Sequence, residues 1–110
     1  MSRGEFSHFE LLVLTAVVRL EDRAYGVNIA NEIEEHSRRD VLVGSVYAAL
    51  DRLEEKGFVS AKLADPTPER GGRAKKYFRV TGAGLRHVRE AQRVLTALWR
   101  GVPKFKEGLA

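Results

Sequence analysis

Residues 44–59 read GSVYAALDRLEEKGFV, the pattern of a short helix that runs directly into a strand. Apolar residues recur there at helical spacing and predict one face turned toward a core: Val46, Ala49, Leu50 and Leu53. The opposite face is expected to carry small or basic side chains: Ser45, Ala48 and Arg52. Gly57 suits the left-handed position that ends a helix, and the extended run after it continues to Leu63. This order of helix, sharp turn and strand is typical of a winged helix, a fold that grips DNA.

A basic hairpin is predicted after this helix. Its strands are expected near Val59–Leu63 and Lys75–Val80, on either side of a loop that contains prolines and glycines. The cations of the loop and of the second strand are Arg70, Arg73, Lys75, Lys76 and Arg79. No acidic residue follows Glu69 up to Val80, and glycines let a backbone approach a duplex closely, so a phosphate or minor-groove contact is the natural use. The alternative is a flexible loop whose charges are simply solvated.

Two further helices are predicted before residue 44. Ser7 and Glu10 have the spacing of a capping box, so the first helix should extend from about Ser7 to Leu20. It is apolar on more than one face, which indicates packing on the core on one side and on another surface, such as a second subunit, on the other. The second helix, from about Tyr25 to His36, is expected to support a helix-turn-helix and to turn three residues inward: Val27, Ala30 and Ile33. The predicted fold class is α+β, mainly α, with a winged helix-turn-helix over residues 6–81.

The last predicted helix has the pattern of a dimerisation helix. Thr81 is placed to cap it, and it should extend from about Gly82 to Arg100. Three- and four-residue steps give a heptad seam with one polar break: Leu85, Val88, Gln92, Leu95, Trp99 and Val102. A three-helix winged domain is already closed, so this seam would be exposed in a monomer, and residues 82–102 are predicted to join two copies, with Leu11 and Leu14 completing the interface. The alternative is packing on the chain's own core. Residues 103–110 are expected to fray.

Trp99 has two candidate uses in such a dimer. Two copies near the end of the seam would create an aromatic pocket for a small, flat aromatic effector, whereas ordinary interface packing is the commoner use of the residue. Fluorescence tests the pocket, because Trp99 is the only tryptophan of the chain.

Four residues of the helix within 44–59 are candidates for contact with DNA. Ser45 is expected to bind phosphate together with the free amides at the helix N-terminus, and Arg52 to contact a base or a phosphate. Ala48 shares their face of the helix. For Tyr47 the sequence leaves two interpretations open, a hydroxyl bonded to phosphate and a half-buried ring packed under the wing.

Composition limits the classes of function. The chain has 110 residues and a formal net charge of +4, which favours a polyanionic partner. It has no cysteine, and its three histidines show no ligand-like spacing, so we expect neither a metal site nor any other cofactor. No Ser-His-Asp grouping is suggested, which argues against an enzyme. The longest apolar run is far shorter than the ~20 residues that cross a bilayer, so a cytoplasmic protein without membrane anchor or signal peptide is expected.

The sequence resembles the PadR-like transcriptional regulators, in their small subclass with a single C-terminal helix, over about Phe9 to Leu98. The resemblance is carried by Tyr25-Gly26 and by residues 44–59 and 71–84. It implies a winged-helix homodimer on a pseudo-palindromic promoter site, usually a repressor released by a small molecule. It also implies that the last helix of each subunit packs on the first helix of its partner.

The family motif bears on individual residues as well. The match implies that Ser45, Tyr47 and Arg52 lie on the DNA-reading helix and that Arg73, Lys75 and Lys76 lie on the wing. Many members have a proline near the start of the reading helix, where this chain has Val43-Gly44-Ser45. The family pattern therefore does not assign the contacts at that end of the helix.

Together these observations predict a dimeric, sequence-specific transcriptional regulator, a repressor in its commonest form, whose partners are a double-stranded operator and a second copy of the chain. One alternative is a winged-helix module whose wing contacts an acidic protein surface. The other is an architectural protein that binds duplexes with little sequence preference.

Overall fold

The computed structural model describes residues 6–63 and 75–103. The helices are α1 (His8–Leu20), α2 (Gly26–Ser37), α3 (Val43–Glu55) and α4 (Gly82–Arg100), and the strands are β1 (Val59–Leu63) and β2 (Lys76–Val80). This confirms the predicted fold class and, to within one or two residues at the ends, every predicted element. A short 3-10 turn, Glu21–Arg23, connects α1 to α2. Of the predicted wing, the loop with Arg70 and Arg73 lies outside the described residues, as does the predicted frayed tail beyond Pro103.

The predicted helix boundaries rest on local hydrogen bonds. The Ser7 hydroxyl accepts from the amide of Glu10 at 3.1 Å, and the Glu10 carboxylate accepts from the amide of Ser7 at 3.3 Å, which is a complete capping box. The Thr81 hydroxyl accepts from the amide of Gly84 at 3.1 Å and donates to the carbonyl of Gly57 at 2.7 Å. Gly57 has a φ of +81°, the left-handed conformation expected at the end of α3. One hydroxyl therefore caps α4 and attaches it to the turn after α3.

The core lies where α1, α2 and α3 meet. Its largest fully buried side chains are Leu14, Ile29, Leu50, Leu53, Val13, Val17 and Val46. The predicted inner face of α2 needs one correction, because Val27 is half exposed and Ile29 is fully buried. The buried residues of α2 follow the i, i+3, i+4, i+7 spacing of one helical face: Gly26, Ile29, Ala30 and Ile33. Val27 falls outside that face.

The predicted interface with a second copy also needs a correction, because Leu14 is fully buried within its own subunit. It packs in the core between the helices and has no surface left for a partner. Leu11, its neighbour, is only partly buried and stays available. Helix α1 thus has one apolar face in the core, which includes Leu14, and a second apolar face on its outer side.

The two strands form an antiparallel pair that is fastened to the helices. Val59 pairs with Val80 at one end and Leu63 with Lys76 at the other. The amide of Phe78 donates to the carbonyl of Ala24 at 2.8 Å, and the amide of Thr81 donates to the carbonyl of Phe58 at 3.0 Å. The base of the wing is therefore held both by the segment before α2 and by the turn after α3.

Helix α4 contacts the domain through its first turns. Gly84 is buried, and a Cβ at this position would overlap the carbonyl oxygen of Phe58 and lie 3.0 Å from the side chain of Val80. Val88 still packs against the core, whereas Leu95 and Trp99 are exposed. Within the described residues no helix is both long and apolar enough to cross a membrane.

Candidate nucleic-acid interface

The outer face of α3 is free of the core, as the sequence predicts. Ser45 and Ala48 are exposed on this face, while the inward-facing residues Val46, Ala49, Leu50 and Leu53 have no exposed surface. The residue at the N-cap of α3, Leu42, makes no side-chain capping bond. The amides of Ser45 and Val46 donate to the carbonyl of Leu42, and the amides of Val43 and Gly44 before them can bind an external acceptor, as a helix N-terminus does when it meets a phosphate.

Leu42 is a surface residue that the sequence pattern did not single out. Its side chain is 75% exposed, immediately before the first residue of α3. An exposed leucine at the start of a helix leaves an apolar side chain available to a partner on that side of the domain. The sequence does hold a signal for it. Leu42 stands just before the helical pattern that begins at Val43, so that pattern gives it no position on the buried face.

Tyr47 lies against the start of α2. A Cβ on Gly26 would overlap two ring carbons and the hydroxyl oxygen of Tyr47, the farthest of them at 2.6 Å, so only glycine allows this contact. The ring centre of Tyr47 is also 6.4 Å from that of Phe78 in β2. The side chain is 39% exposed. The hydroxyl end of Tyr47 therefore packs on Gly26 while the residue stays partly exposed, and this contact explains why a glycine follows Tyr25.

The base of the wing, at the start of β2, adds positive charge beside the N-terminus of α2. The ammonium group of Lys75 lies 4.0 Å from the ring centre of Tyr25, and the rings of Tyr25 and Tyr77 meet edge to face at 5.4 Å. Lys76 extends over Phe78, with 5.6 Å between its ammonium group and the ring centre. Tyr25 makes no side-chain cap for α2. Lys75, Tyr47 and the N-terminus of α2 therefore form one polar, positively charged surface beside the outer face of α3.

Arg52 has an intramolecular partner that the sequence analysis did not foresee. Its Nε donates to Oε2 of Glu10 at 2.5 Å, and Nζ of Lys56 donates to Oε1 of the same carboxylate at 2.9 Å. The side chain of Glu10 is only 4% exposed. The spacing of Ser7 and Glu10 revealed the helix cap, but only the crossing of α1 and α3 brings Arg52 and Lys56 to the carboxylate.

These hydrogen bonds set the ionisation of Glu10. Burial alone would raise the pKa of the carboxyl group, because the charged form is desolvated. The hydrogen bonds from Arg52, Lys56 and the amide of Ser7, together with the charge of Lys56, lower it by more. The pKa of Glu10 therefore lies below the ordinary value, and the carboxylate is charged in the folded protein at neutral pH.

The heptad seam of α4 is covered at one end and exposed at the other. Leu85 and Val88 are partly buried, and Val102 is partly buried beyond the end of the helix. Gln92, the polar break, donates from Nε2 to the hydroxyl of Thr96 at 3.2 Å. Large exposed apolar side chains concentrate in the second half of the helix: Val94, Leu95, Leu98 and Trp99. Val94 and Leu98 were missed, because a strict heptad follows a narrower stripe than the apolar face that the helix has.

The sequence that forms α3, the strand pair and the first half of α4 also matches a known family. The sequence model of the transcriptional regulator PadR-like family matches residues 13–90. The chain belongs to the PadR-like family. Its members are DNA-binding transcriptional regulators rather than enzymes, and this confirms the resemblance read from residues 44–59 and 71–84.

This PadR-like chain is also similar to solved structures and to a sequence relative. It is similar to a PadR-family transcriptional regulator of Eggerthella lenta, with 27% identity, a TM-score of 0.67 and coverage of 82% of this chain and 76% of that one. It is also similar to RosR of H. salinarum, with 25% identity, a TM-score of 0.72 and coverage of 90% and 82%. An uncharacterized protein of Lysinibacillus sphaericus is 28% identical over 93% of this chain and 91% of its own length.

Proposed function

We propose that the chain is a dimeric, sequence-specific transcriptional repressor that acts in the cytoplasm. The observation that carries the proposal is the exposed face of α3, which lies next to a wing base rich in lysine. A helix with small outward side chains can enter the major groove, and cations beside it can neutralise the flanking phosphates. A repressor results when such a protein occupies a promoter.

The proposed contacts divide between bases and phosphates. Ser45 and Ala48 face the groove, with the amides at the start of α3 beside them. Tyr47 and Lys75 meet a phosphate near the start of α2, because the tyrosine ring and the ammonium group both lie against Tyr25-Gly26. Lys76 continues this line along the wing. Arg70 and Arg73, outside the described residues, keep the wing contacts that the sequence predicts for them.

Dimer formation is supported by the apolar surface that α4 exposes. Leu95 and Trp99 are more than half exposed, an unusual state for large apolar side chains in a monomer. We propose that the seam packs against the partner's α1 and α4, through Leu11 and the seam residues Leu85, Val88, Gln92, Leu95, Trp99 and Val102. Leu14 has no part in this interface because it is buried within its subunit.

Release from DNA by a small, flat aromatic effector is the finer part of the proposal. It rests on Trp99, which is 68% exposed and would meet its counterpart in a dimer. Titration of candidate aromatic ligands should then quench or shift the fluorescence of Trp99 and lower operator affinity together. Unchanged fluorescence across such ligands would remove the effector from the proposal and leave Trp99 an interface residue.

Selection of bound duplexes from a random DNA pool at near-physiological salt tests the function. The expected result is an enriched inverted repeat whose half-sites lie about one helical turn, ~34 Å, apart. Binding without enrichment would identify an architectural protein. Absence of DNA binding would favour a module that contacts an acidic protein surface. Sedimentation of the same sample should give about twice the subunit mass of 12.3 kDa.

A further inference from the structure

The pairing of Glu10 with α3 stands out because Glu10 is the one charged side chain that is buried within the part of the chain described. Its carboxylate lies in the first turn of α1, and its two cationic partners lie at the end of α3. Arg52 and Lys56 are 42 and 46 residues away in sequence. The contact is therefore a tertiary connection between two helices, not a feature of local structure.

The pairing of Glu10 with its cations adds only part of their attraction to stability, because the carboxylate is almost fully buried and its desolvation offsets the rest, while Arg52 and Lys56 stay 50% and 29% exposed. Its geometry, in contrast, is restrictive. The Glu10 carboxylate also accepts from the amide of Ser7, so the capping box restrains its rotamer independently of the cations of α3. Arg52 and Lys56 must then meet two oxygen atoms whose positions are already set. A connection of this kind determines the direction of α3 better than apolar packing alone, which tolerates small rotations.

A second attachment holds the other half of α3. The Tyr47 ring lies on Gly26 so closely that a Cβ would not fit between them. Tyr47 belongs to the first half of α3 and Arg52 to the second. The exposed residues Ser45 and Ala48 lie on the same helix as these two attachments. Fixing both halves fixes the axis along which the exposed face is presented.

We propose that Glu10 and Arg52 are positioning residues that set the direction of α3 relative to α1, and that Arg52 serves operator recognition through this pairing rather than by contact with a base. The inference rests on the proposed function, in which α1 receives the partner's α4. A fixed angle between α1 and α3 then sets the separation of the two reading helices in the dimer. The half-site spacing that the protein accepts follows from that separation.

A double-mutant cycle tests the proposal on the intact protein. Glu10→Gln, Arg52→Gln and their combination are compared for binding to the selected operator and to a random duplex at one salt concentration. Because the two residues act as one unit, we expect each single change to lower the preference for the operator about tenfold and the double change to cost no more than either alone. Operators with one base pair added or removed between the half-sites should be discriminated less well by all three variants.

The matched control is the exposed pair Glu90 and Arg93 on α4, which has the same chemistry within one helix. Glu90→Gln and Arg93→Gln should leave operator preference and spacing unchanged. The proposal is overturned if Arg52→Gln loses preference at a single base pair while Glu10→Gln has no effect, since Arg52 would then read DNA directly.

A measurement without DNA separates this inference from the proposed function. Residual dipolar couplings of the backbone amides report the relative orientation of α1 and α3 in solution. Glu10→Gln and Arg52→Gln should change that orientation, and Glu90→Gln should not. If the wild type selects no duplex, the proposed function fails while the couplings still decide the positioning role. An unchanged orientation of α1 relative to α3 in both variants overturns the positioning role.

The proposal can still be tested if a single variant fails to fold. If a single variant is unfolded, Glu10→Met combined with Arg52→Met removes both charges and leaves no unpaired ion between the helices. Lys56, whose side chain is 29% exposed, can then turn toward solvent. This variant should fold and should accept altered half-site spacing. Wild-type spacing discrimination in the folded Met variant overturns the proposal.

Discussion

The hydroxyl end of Tyr47 lies against Gly26, so close that a Cβ at position 26 would displace the tyrosine ring. This contact joins the reading helix to the start of α2, where Lys75 lies over Tyr25. A change at Gly26 therefore affects the proposed interface as well as the packing of the domain.

Gly26→Ala should destabilise the protein and weaken DNA binding. The added methyl group meets the Tyr47 ring, and overpacking of this kind costs about 1–3 kcal/mol in the free energy of unfolding. Urea denaturation measures the loss. Gly44→Ala is the control, because a Cβ at Gly44 has no atom within 4 Å. That substitution should stabilise the chain by roughly 0.5–1 kcal/mol, as glycine is costly within a helix. Equal effects of the two changes would contradict the role assigned to the Tyr47 contact.

Lys75→Ala combined with Lys76→Ala should weaken binding to all duplexes alike. For every phosphate that the variant fails to neutralise, the slope of log affinity against log salt should become shallower by about 0.9. Fluorescence anisotropy over a salt series measures both the affinity and the slope. Arg89→Ala removes one charge from the exposed surface of α4 and should leave the slope unchanged. A slope that stays constant in the lysine variant would place the DNA on another surface.

Leu95→Glu should convert the dimer to monomers without unfolding the domain. The new charge would be buried without a partner at the proposed interface, whereas in a monomer it points into water. Sedimentation velocity measures the mass, and circular dichroism checks the helix content. Ala97→Glu, which places the same charge at an exposed position away from the seam, should stay dimeric. A dimer that persists in Leu95→Glu would show that α4 does not join the subunits.

Acid should remove the stabilisation that Glu10 provides. The pKa of Glu10 in the folded protein is below the ordinary value of 4.5, so the unfolded chain binds the proton first as the pH falls. The stabilisation is complete above about pH 5 and is lost as the pH falls through the folded pKa. Glu10→Gln lacks this dependence. The difference in unfolding free energy between wild type and Glu10→Gln should therefore shrink as the pH falls from neutral through the folded pKa of Glu10, and a constant difference would contradict the assignment.

The sequence predicts the fold well because its signals are local. The capping box at Ser7, the left-handed glycine at Gly57 and the cap at Thr81 each depend on a few neighbouring residues, and the structure confirms all three. The apolar face of α3 follows in the same way from its period. The position of Val27 was wrong because it is an apolar residue one step outside the buried face of α2, and a short helix offers few turns from which to fix the phase.

The candidate site was less accessible to sequence reasoning, because its decisive contacts join distant parts of the chain. The Arg52 side chain has the right character for DNA, and nothing near it in sequence indicates that Glu10 binds it. The closeness of Tyr47 to Gly26 is likewise invisible until α2 and α3 are packed. Leu14 illustrates the same difficulty for the interface, since an apolar stripe does not say which of its residues the core takes.

The junction at Thr81 has a mechanical consequence. Strand β2 ends at Val80 and α4 begins at Gly82, so a single residue separates the wing from the last helix. The hydroxyl of that residue is bonded to Gly57, at the turn where the reading helix ends. No linker separates these elements at this point, so α4 is attached to the domain between the two parts that are proposed to touch DNA. We expect a change in the tilt of α4 to be transmitted to both the wing and the end of α3.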